Sequence, residues 1–423
     1  MTEVLLLLGA LAGIAGCHSD SPRPVVVEFW AMGREGEWVQ QLLPKFTERH
    51  PQIQVRVQQI PWGAAHEKLL TAYAGDVMPD VFQLGNTWVP EFVALHALED
   101  LRAWIAHSKP VQEADYFSGI LETNLIDGGL YGLPWYVDTR LLFYRKDELQ
   151  AAGWNEPPRT WSEWLSAMRR IKQRGGADRY AILLPLNEWE FPVILALQRQ
   201  AGLLRDHDQY GDFLSDRFRA AFADYLELFD SELAPTRGES QIANLYQEFA
   251  NGYFCFYLTG PWNIGEFKRR MPASLDGQWA TAPLPGQPGN YPGPSLAGGA
   301  SLALFRDSPH KAEAWQFIEF LSEPAQQIIF YQLTGDLPAR QSAWKEGGLI
   351  DDEYARAFWL QLQRVQPLPR IPEWERIAQK IAQYAESTIR GSLTSEEALT
   401  ALNKDVDRIL EKRRWLLQRT RQD

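Results

Sequence analysis

Hydrophobic and polar positions repeat with two different periods in the N-terminal part of the chain. The apolar run VVVEFW, from Val25 to Trp30, is typical of a strand buried on both faces. The alternating IQVRVQQI and the short DVFQLG predict two further strands, and the segments between these strands have helical spacing. This order of strands and helices predicts an α/β fold with a mainly parallel sheet covered by helices.

A second α/β unit is indicated further along the chain. Thr160 with Glu163 has the spacing of a capping box before a helix, and RYAILLPL is another buried-strand pattern. Thr394 with Glu397 is a second capping box, at the start of a C-terminal helix. The stretch 282–299 is rich in proline and glycine and predicts a loop. At 423 residues the chain is long enough for two domains.

The N-terminus resembles a bacterial lipoprotein signal peptide. An apolar run ends in small residues directly before Cys17, and polar sequence with prolines follows. We expect residues 1–16 to be the signal peptide, Cys17 the lipid-modified N-terminus and residues 17–24 a flexible tether; the alternative is a short buried helix. No later segment has the ~20 consecutive apolar residues that span a bilayer, so the lipid is the expected link to the membrane.

Charge and motif content exclude several classes of function. The formal net charge of -12 would repel a phosphate backbone, so we expect no nucleic-acid partner. Nucleotide-binding loops, a nucleophile elbow and metal-spaced His or Cys residues are all missing from the sequence, which predicts neither a metal site nor a cofactor. Cys255, the second cysteine, is expected to be a small buried apolar residue.

Aromatic, amide and carboxyl residues recur just beyond the predicted strands. In open α/β sheets, ligands bind beyond the carboxyl ends of the strands. A sugar offers an apolar face to an aromatic ring and a rim of hydroxyls to planar polar groups, and the 17 tryptophans suit such a ligand. Packing in the core is the alternative for each tryptophan, and a solvated helix start is the alternative for Glu188 and Glu190. The candidates are Trp30, Glu35, Trp62, Asn86, Trp88, Glu188, Trp189 and Trp262.

One long stretch resembles a known family. DGGLYGLPWYVDTRLLFYRKDELQAAGWNEPPRTWSEWL, residues 127–165, resembles the signature region of bacterial extracellular solute-binding proteins typified by the maltose-binding protein. MPDVFQLGNTWVPEFVALHALEDL, FANGYFCFYLTGPWNI and TGDLPAR support the resemblance. It implies a two-lobe periplasmic-binding-protein fold of type II, which captures a carbohydrate by hinge closure and passes it to the permease of an ABC importer. A di- or oligosaccharide of the maltose or trehalose type is expected, bound by a monomer on the extracytoplasmic side of the membrane.

The resemblance also implies lobe boundaries and cleft residues. The N-terminal lobe is expected over 25–137 and 300–338, and the C-terminal lobe over 138–299 and 339–423. Arg140, Arg145, Lys146 and Asp147 are expected to cap or pair at the surface. Arg340 is expected to reach the cleft, with a surface ion pair as the alternative. The residues expected in the cleft are Trp135, Tyr136, Asp138, Trp262, Gly298 and Gly299.

Two other classes of function remain open at this point. A surface-anchored carbohydrate hydrolase would also combine aromatic residues with a pair of carboxylates, for which Asp138, Glu188 and Glu190 are candidates. A lipoprotein with a purely structural or adhesive role would need no sugar-induced closure. New reducing ends on an oligosaccharide would indicate the hydrolase, and a ligand screen without any response would favour the structural role.

Overall fold

The structure, a computed structural model, describes residues 23–236 and 244–420. The predicted signal peptide and Cys17 lie outside the described residues. Two main sheets, one of six strands and one of four, form the centres of two lobes with helices packed around them. This is the two-lobe α/β architecture that the sequence predicts.

The six-stranded sheet is mixed rather than mainly parallel. Val25–Met32 pairs in parallel with both of its neighbours, Ile53–Ile60 and Val81–Gly85. The remaining pairings are antiparallel: Leu133–Asp138 runs antiparallel to Gly298–Leu304 and to Leu337–Pro338, and Gly298–Leu304 runs antiparallel to Val81–Gly85. In spatial order the strands are Leu337–Pro338, Leu133–Asp138, Gly298–Leu304, Val81–Gly85, Val25–Met32 and Ile53–Ile60.

The four-stranded sheet is also mixed. Phe254–Thr259 runs parallel to Tyr180–Leu183 and antiparallel to Leu141–Arg145. Trp279–Ala282 closes the other edge in antiparallel pairing. Short two-stranded ribbons accompany the two sheets: Leu125–Ile126 with Gly129–Leu130, Leu204–Arg205 with Tyr210–Gly211, and Ser295–Leu296 with Val365–Gln366.

Local sequence signals explain where several helices begin. Both predicted capping boxes form, with the Thr160 and Thr394 side chains accepting from the backbone N–H three residues on. Pro44 splits the first predicted helix, because proline lacks the N–H that would continue it and instead sits in the first turn of a new helix. The α-helices are Gly33–Trp38, Leu43–Arg49, Trp62–Ala74, Val89–Ala94, Arg102–Ile105, Ser118–Glu122, Lys146–Ala151, Trp161–Gly175, Glu190–Gln198, Asp216–Asp230, Leu245–Ala250, Trp262–Arg270, Lys311–Ser322, Pro324–Thr334, Gln341–Glu346, Arg356–Leu362, Trp374–Ile389, Ser395–Ile409 and Glu411–Thr420.

The chain passes from one sheet to the other close to Asp138. Leu133–Asp138 lies in the six-stranded sheet, whereas Leu141–Arg145 lies in the four-stranded sheet. The lobe boundaries inferred from the resemblance stay a prediction. The helix Gln341–Glu346 packs on Pro324–Thr334, and its Trp344 meets Phe117 edge to face at 5.9 Å. These contacts place the start of the segment 339–423 beside the lobe of the six-stranded sheet.

Candidate ligand-binding site

A cavity of 640 Å³ lies where the two lobes meet. This volume falls in the range of sites that hold small organic molecules. Both lobes line the cavity, and the ion pair between Arg34 and Glu266, 2.8 Å long, joins them across it. The predicted residues that line the cavity are Glu35, Trp62, Asn86, Trp88, Tyr136, Asp138, Trp189, Trp262, Gly298 and Gly299.

Glu35 is held at the first-lobe wall by a chain of hydrogen bonds. The Tyr136 hydroxyl donates to its Oε1 at 3.2 Å, and the Trp62 indole N–H donates to its Oε2 at 3.4 Å. Gln83 donates in turn to the Tyr136 hydroxyl at 2.9 Å. Burial raises the pKa of Glu35, and these hydrogen bonds offset part of the rise. The carboxyl group is therefore fixed in direction before any ligand arrives.

An aromatic wall stands beside Glu35. The Trp62 and Trp88 rings meet edge to face at 5.9 Å, and His66 packs on Trp88 at 4.9 Å. His66 Nε2 is 2.7 Å from a Glu91 carboxylate oxygen, and this hydrogen bond raises the pKa of His66. Two indoles and an imidazole thus support one another, which suits contact with a flat apolar ligand face.

The chain returns to the six-stranded sheet at Gly298–Leu304, and the start of this strand brings backbone directly to the cavity. Gly299 has φ of +122°, and a Cβ added there would lie 2.3 Å from the Tyr136 carbonyl oxygen. Only glycine fits such a position without strain. Asn86 is fixed next to this strand, because Ser301 Oγ donates to its Oδ1 at 2.8 Å and its own Nδ2 donates to the Gly298 carbonyl at 3.3 Å.

Arg140 lines the cavity between two carboxylates. Its Nη1 donates to both Asp138 oxygens at 2.8 and 2.9 Å, and its Nη2 donates to Glu190 Oε1 at 2.7 Å. The guanidinium lies over the Trp262 ring, 4.7 Å from its centroid. Burial alone would lower the pKa of Arg140, but Asp138 and Glu190 raise it overall. This cluster joins the end of a first-lobe strand to the second lobe.

Carboxyl groups outnumber cations in the cavity. The lining cations, Arg34 and Arg140, are each paired with a lining carboxylate. Burial, reinforced by the charge of Glu35, raises the pKa of Asp336 to about 8. Burial also raises the pKa of Glu375, and a hydrogen bond from Thr87 offsets part of this rise. The cavity therefore offers several carboxyl groups to hydroxyl donors.

The structure places four predicted site residues elsewhere. Trp135 is 1% exposed and stacks on Phe330 at 4.4 Å in the core, because neighbouring residues of a strand face opposite sides and Tyr136 faces the cavity. Trp30 packs against the helix Trp62–Ala74, with the Lys68 ammonium 5.0 Å from its ring. Glu188 lies in the loop before the helix Glu190–Gln198, outside the cavity lining.

Three arginines also lie at positions that differ from the predicted ones. Arg340 is buried shortly after the edge strand Leu337–Pro338, where its Nε donates to Asp115 at 2.7 Å and its Nη1 donates to the Ser322 carbonyl at 3.1 Å. Neither the cleft position nor the surface ion pair expected for it is observed. Arg140 and Arg145, expected at the surface, are both buried because carboxylates and carbonyls satisfy their donors.

Several lining residues were not predicted from the sequence. Asp336 belongs to the quoted TGDLPAR segment, so the resemblance to the family offered a signal for it. Glu375 had no such signal, because it reaches the cavity only through packing of the helix Trp374–Ile389 against Asn86–Trp88. The other lining residues without a prediction include Arg34, Gly85, Thr87, Glu266, Thr334 and Leu368.

Other kinds of site receive no support from the described parts of the chain. Across 23–236 and 244–420, no group of three or more His, Cys, Asp or Glu side chains is arranged to hold a metal ion. Within the same ranges no helix is both long and apolar enough to cross a membrane. Cys255 is buried and free, as expected.

Comparison with known proteins decides the family. The profile described as bacterial extracellular solute-binding protein matches residues 31–328. The chain belongs to this family. The predicted resemblance is thereby confirmed, and the two-lobe fold agrees with it.

Individual relatives of this solute-binding protein cover nearly its whole length. The sugar-binding protein MalE from Xanthomonas citri is 50% identical, with a TM-score of 0.89 over 93% of this chain and 99% of that one. The diacetylchitobiose binding protein DasA of Streptomyces coelicolor is 23% identical over 410 residues, which are 93% of this chain and 94% of DasA. A lipoprotein of Streptomyces antibioticus is 27% identical over 398 residues, 88% of this chain and 84% of that protein.

Proposed function

We propose that this protein is the substrate-binding component of an ABC importer, and that it captures a carbohydrate in the cavity between its lobes. The observation that carries the proposal is the lining itself. Four indoles, Trp62, Trp88, Trp189 and Trp262, share one cavity with carboxyl groups from both lobes. Indole faces suit the apolar face of a sugar ring, and the carboxyl and amide groups suit its hydroxyls.

The relatives support a sugar as the ligand. MalE from Xanthomonas citri, which is half identical to this chain, is named as a sugar-binding protein, and DasA is named for diacetylchitobiose. We infer that a di- or oligosaccharide binds, that closure of the lobes about the crossings traps it, and that the membrane permease of the importer then receives it. Contacts from both lobes would stabilise the closed state.

Binding without hydrolysis is part of the proposal. Of the carboxylates considered for a hydrolase, Glu188 lies outside the cavity lining, and Asp138 and Glu190 both accept hydrogen bonds from Arg140. A hydrolase needs two carboxyl groups with separate roles, one as acid and one as base or nucleophile, whereas Asp138 and Glu190 are bound to the same guanidinium. Incubation with maltose and cellobiose should therefore produce no new reducing ends.

Anchoring through Cys17 is also part of the proposal. We infer an extracytoplasmic monomer held at the membrane by a lipid on this residue. Mass spectrometry of the membrane fraction should show a diacylglyceryl adduct on an N-terminal Cys17. An unmodified protein recovered from the soluble fraction, with its N-terminus elsewhere, would contradict this anchor.

A thermal-shift screen tests the proposed function. The probes are maltose, trehalose, cellobiose and diacetylchitobiose, with glycerol 3-phosphate as a polyol phosphate. A ligand at a hundred times its Kd stabilises the folded state by about 2.7 kcal/mol. For a chain of 423 residues that corresponds to a rise in Tm of about 3 °C. A flat response to every sugar would favour the structural or adhesive role.

A further inference from the structure

Arg140 has a place in the cavity that the capture of a sugar does not by itself explain. It is buried, and it contacts two carboxylates and an indole at once. We propose that Arg140 is a positioning residue, which acts through Trp262 by holding the indole in the orientation that stacks on the sugar. The inference rests on the proposed function for its ligand, but the geometry of Arg140 and Trp262 can be tested without one.

The plane of the guanidinium group separates the two kinds of contact. Hydrogen bonds to Asp138 and Glu190 leave the group at its edge, through Nη1 and Nη2. Its face is then available to the Trp262 ring, whose centroid is 4.7 Å away. The two carboxylates therefore fix the guanidinium, and the guanidinium fixes the indole.

Trp262 needs such a support, because its surroundings hold it only in part. It is the first residue of the helix Trp262–Arg270 and is 37% exposed. On the protein side the indole lies against Gly260, where an added Cβ would come within 1.9 Å of Trp262 Cζ3. An indole that rotates freely must lose that freedom when it stacks on a sugar, whereas one held by Arg140 has already lost it.

Lysine cannot replace arginine in this role. An ammonium group keeps the positive charge between Asp138 and Glu190, but it is compact and has neither a planar face nor a fork of donors. Arg140→Lys therefore removes the face-to-ring contact while the charge stays close to constant. Loss of ordering at Trp262, rather than loss of net charge, should dominate its effect.

Arg145 provides a matched control on the strand that begins directly after Arg140. It is also buried, pairs with Asp147 at 2.7 Å, and has its guanidinium carbon 6.0 Å from the Phe249 ring centroid. It does not line the cavity. Arg145→Lys thus repeats the same chemical change in a similar environment, at a distance from the ligand.

Calorimetric titration of the full set of variants tests the proposal, with maltose, trehalose, cellobiose and diacetylchitobiose as probes. For any probe that the wild type binds, Arg140→Lys should weaken binding at least tenfold, and Arg145→Lys should change it less than twofold. In a Trp262→Ala background, Arg140→Lys should cost less than a further twofold, because its effect passes through the missing indole. Additive losses, equal losses in both arginine variants, or tighter binding by Arg140→Lys would overturn the proposal.

A measurement without ligand keeps the test independent of the proposed function. Trp262 fluorescence is obtained as the difference between each protein and the same protein carrying Trp262→Phe. Acrylamide should quench this difference signal more strongly in Arg140→Lys than in the wild type, and Arg145→Lys should leave it unchanged. Equal quenching in all three would refute the positioning role. If the wild type binds none of the sugars, the proposed function fails, and quenching still decides whether Arg140 holds the indole.

Discussion

Replacing Trp262 with alanine removes exposed aromatic surface from the cavity while leaving the cores of both lobes filled. A whole tryptophan presents about 250 Å². Since Trp262 is 37% exposed, about 90 Å² of it is free for a sugar to cover. At ~25 cal/mol per Å² of apolar surface, that contact contributes about 2 kcal/mol to binding. Trp262→Ala should therefore raise the Kd about thirtyfold.

The same substitution should have little effect on the ligand-free protein. It removes the contact with the Arg140 guanidinium, worth about 1–2 kcal/mol, and Arg140 keeps its bonds to Asp138 and Glu190. For 423 residues the entropy of unfolding is about 0.9 kcal/mol per kelvin, so the Tm should fall by only about 2 °C.

Trp135→Ala is the control, because Trp135 is fully buried and stacks on Phe330. Loss of a buried tryptophan costs about 3–5 kcal/mol, or about 3–6 °C in Tm. Titration calorimetry with the sugar that stabilises the wild type most, run beside ligand-free melting curves, gives both quantities. Unchanged affinity in Trp262→Ala together with a larger fall in Tm than in Trp135→Ala would refute this assignment of the two tryptophans.

Three further perturbations test other parts of the structure. Burial and the charge of Glu35 raise the pKa of Asp336 from 3.8 to about 8 in the folded protein, so its contribution to folding stability is fully present below pH 3.8 and is lost as the pH rises through about 8. Asp336→Asn should thus melt above the wild type at about pH 9 and level with it at about pH 4; equal Tm values at both would argue against the buried proton. Gly299→Ala should cost about 3 kcal/mol or more in urea unfolding, because φ is +122° and the added Cβ meets the Tyr136 carbonyl, whereas Gly63→Ala, with no atom within 4 Å of the added Cβ, should cost nothing. Hinge closure should lower the radius of gyration measured by X-ray scattering when a bound sugar is present, and an unchanged value at saturation would exclude closure.

The sequence carries information about the ends of strands, and there its predictions agree best with the structure. Trp62, Asn86 and Trp88 follow strands of the first lobe and reach the cavity together. Each of them directly follows the end of a strand. Because the carboxyl ends of parallel strands meet at one edge of a sheet, residues at these ends come together there. Trp262 follows a second-lobe strand in the same way.

Predictions fail where the face of a strand or the packing of distant segments decides the outcome. Trp135 and Tyr136 are adjacent in one strand, so only one of them can face the cavity. The alternation of side chains shows that they face opposite sides of the sheet, but it does not show which of the two faces the cavity. Arg140 sits only two residues beyond Asp138, but its burial depends on Glu190 and Trp262, which are remote in sequence. Arg340 is likewise drawn inward by Asp115.

A crystal structure of the protein grown with its most stabilising sugar tests the central claim most directly. The account predicts one sugar in the cavity between the lobes, with a ring against Trp262 and hydroxyls bonded to Glu35 from the first lobe and to Asp138 or Glu190, the partners of Arg140. Both lobes would then contact the same molecule. A sugar bound at any other surface, or a sugar that touches one lobe alone, would contradict capture between the lobes.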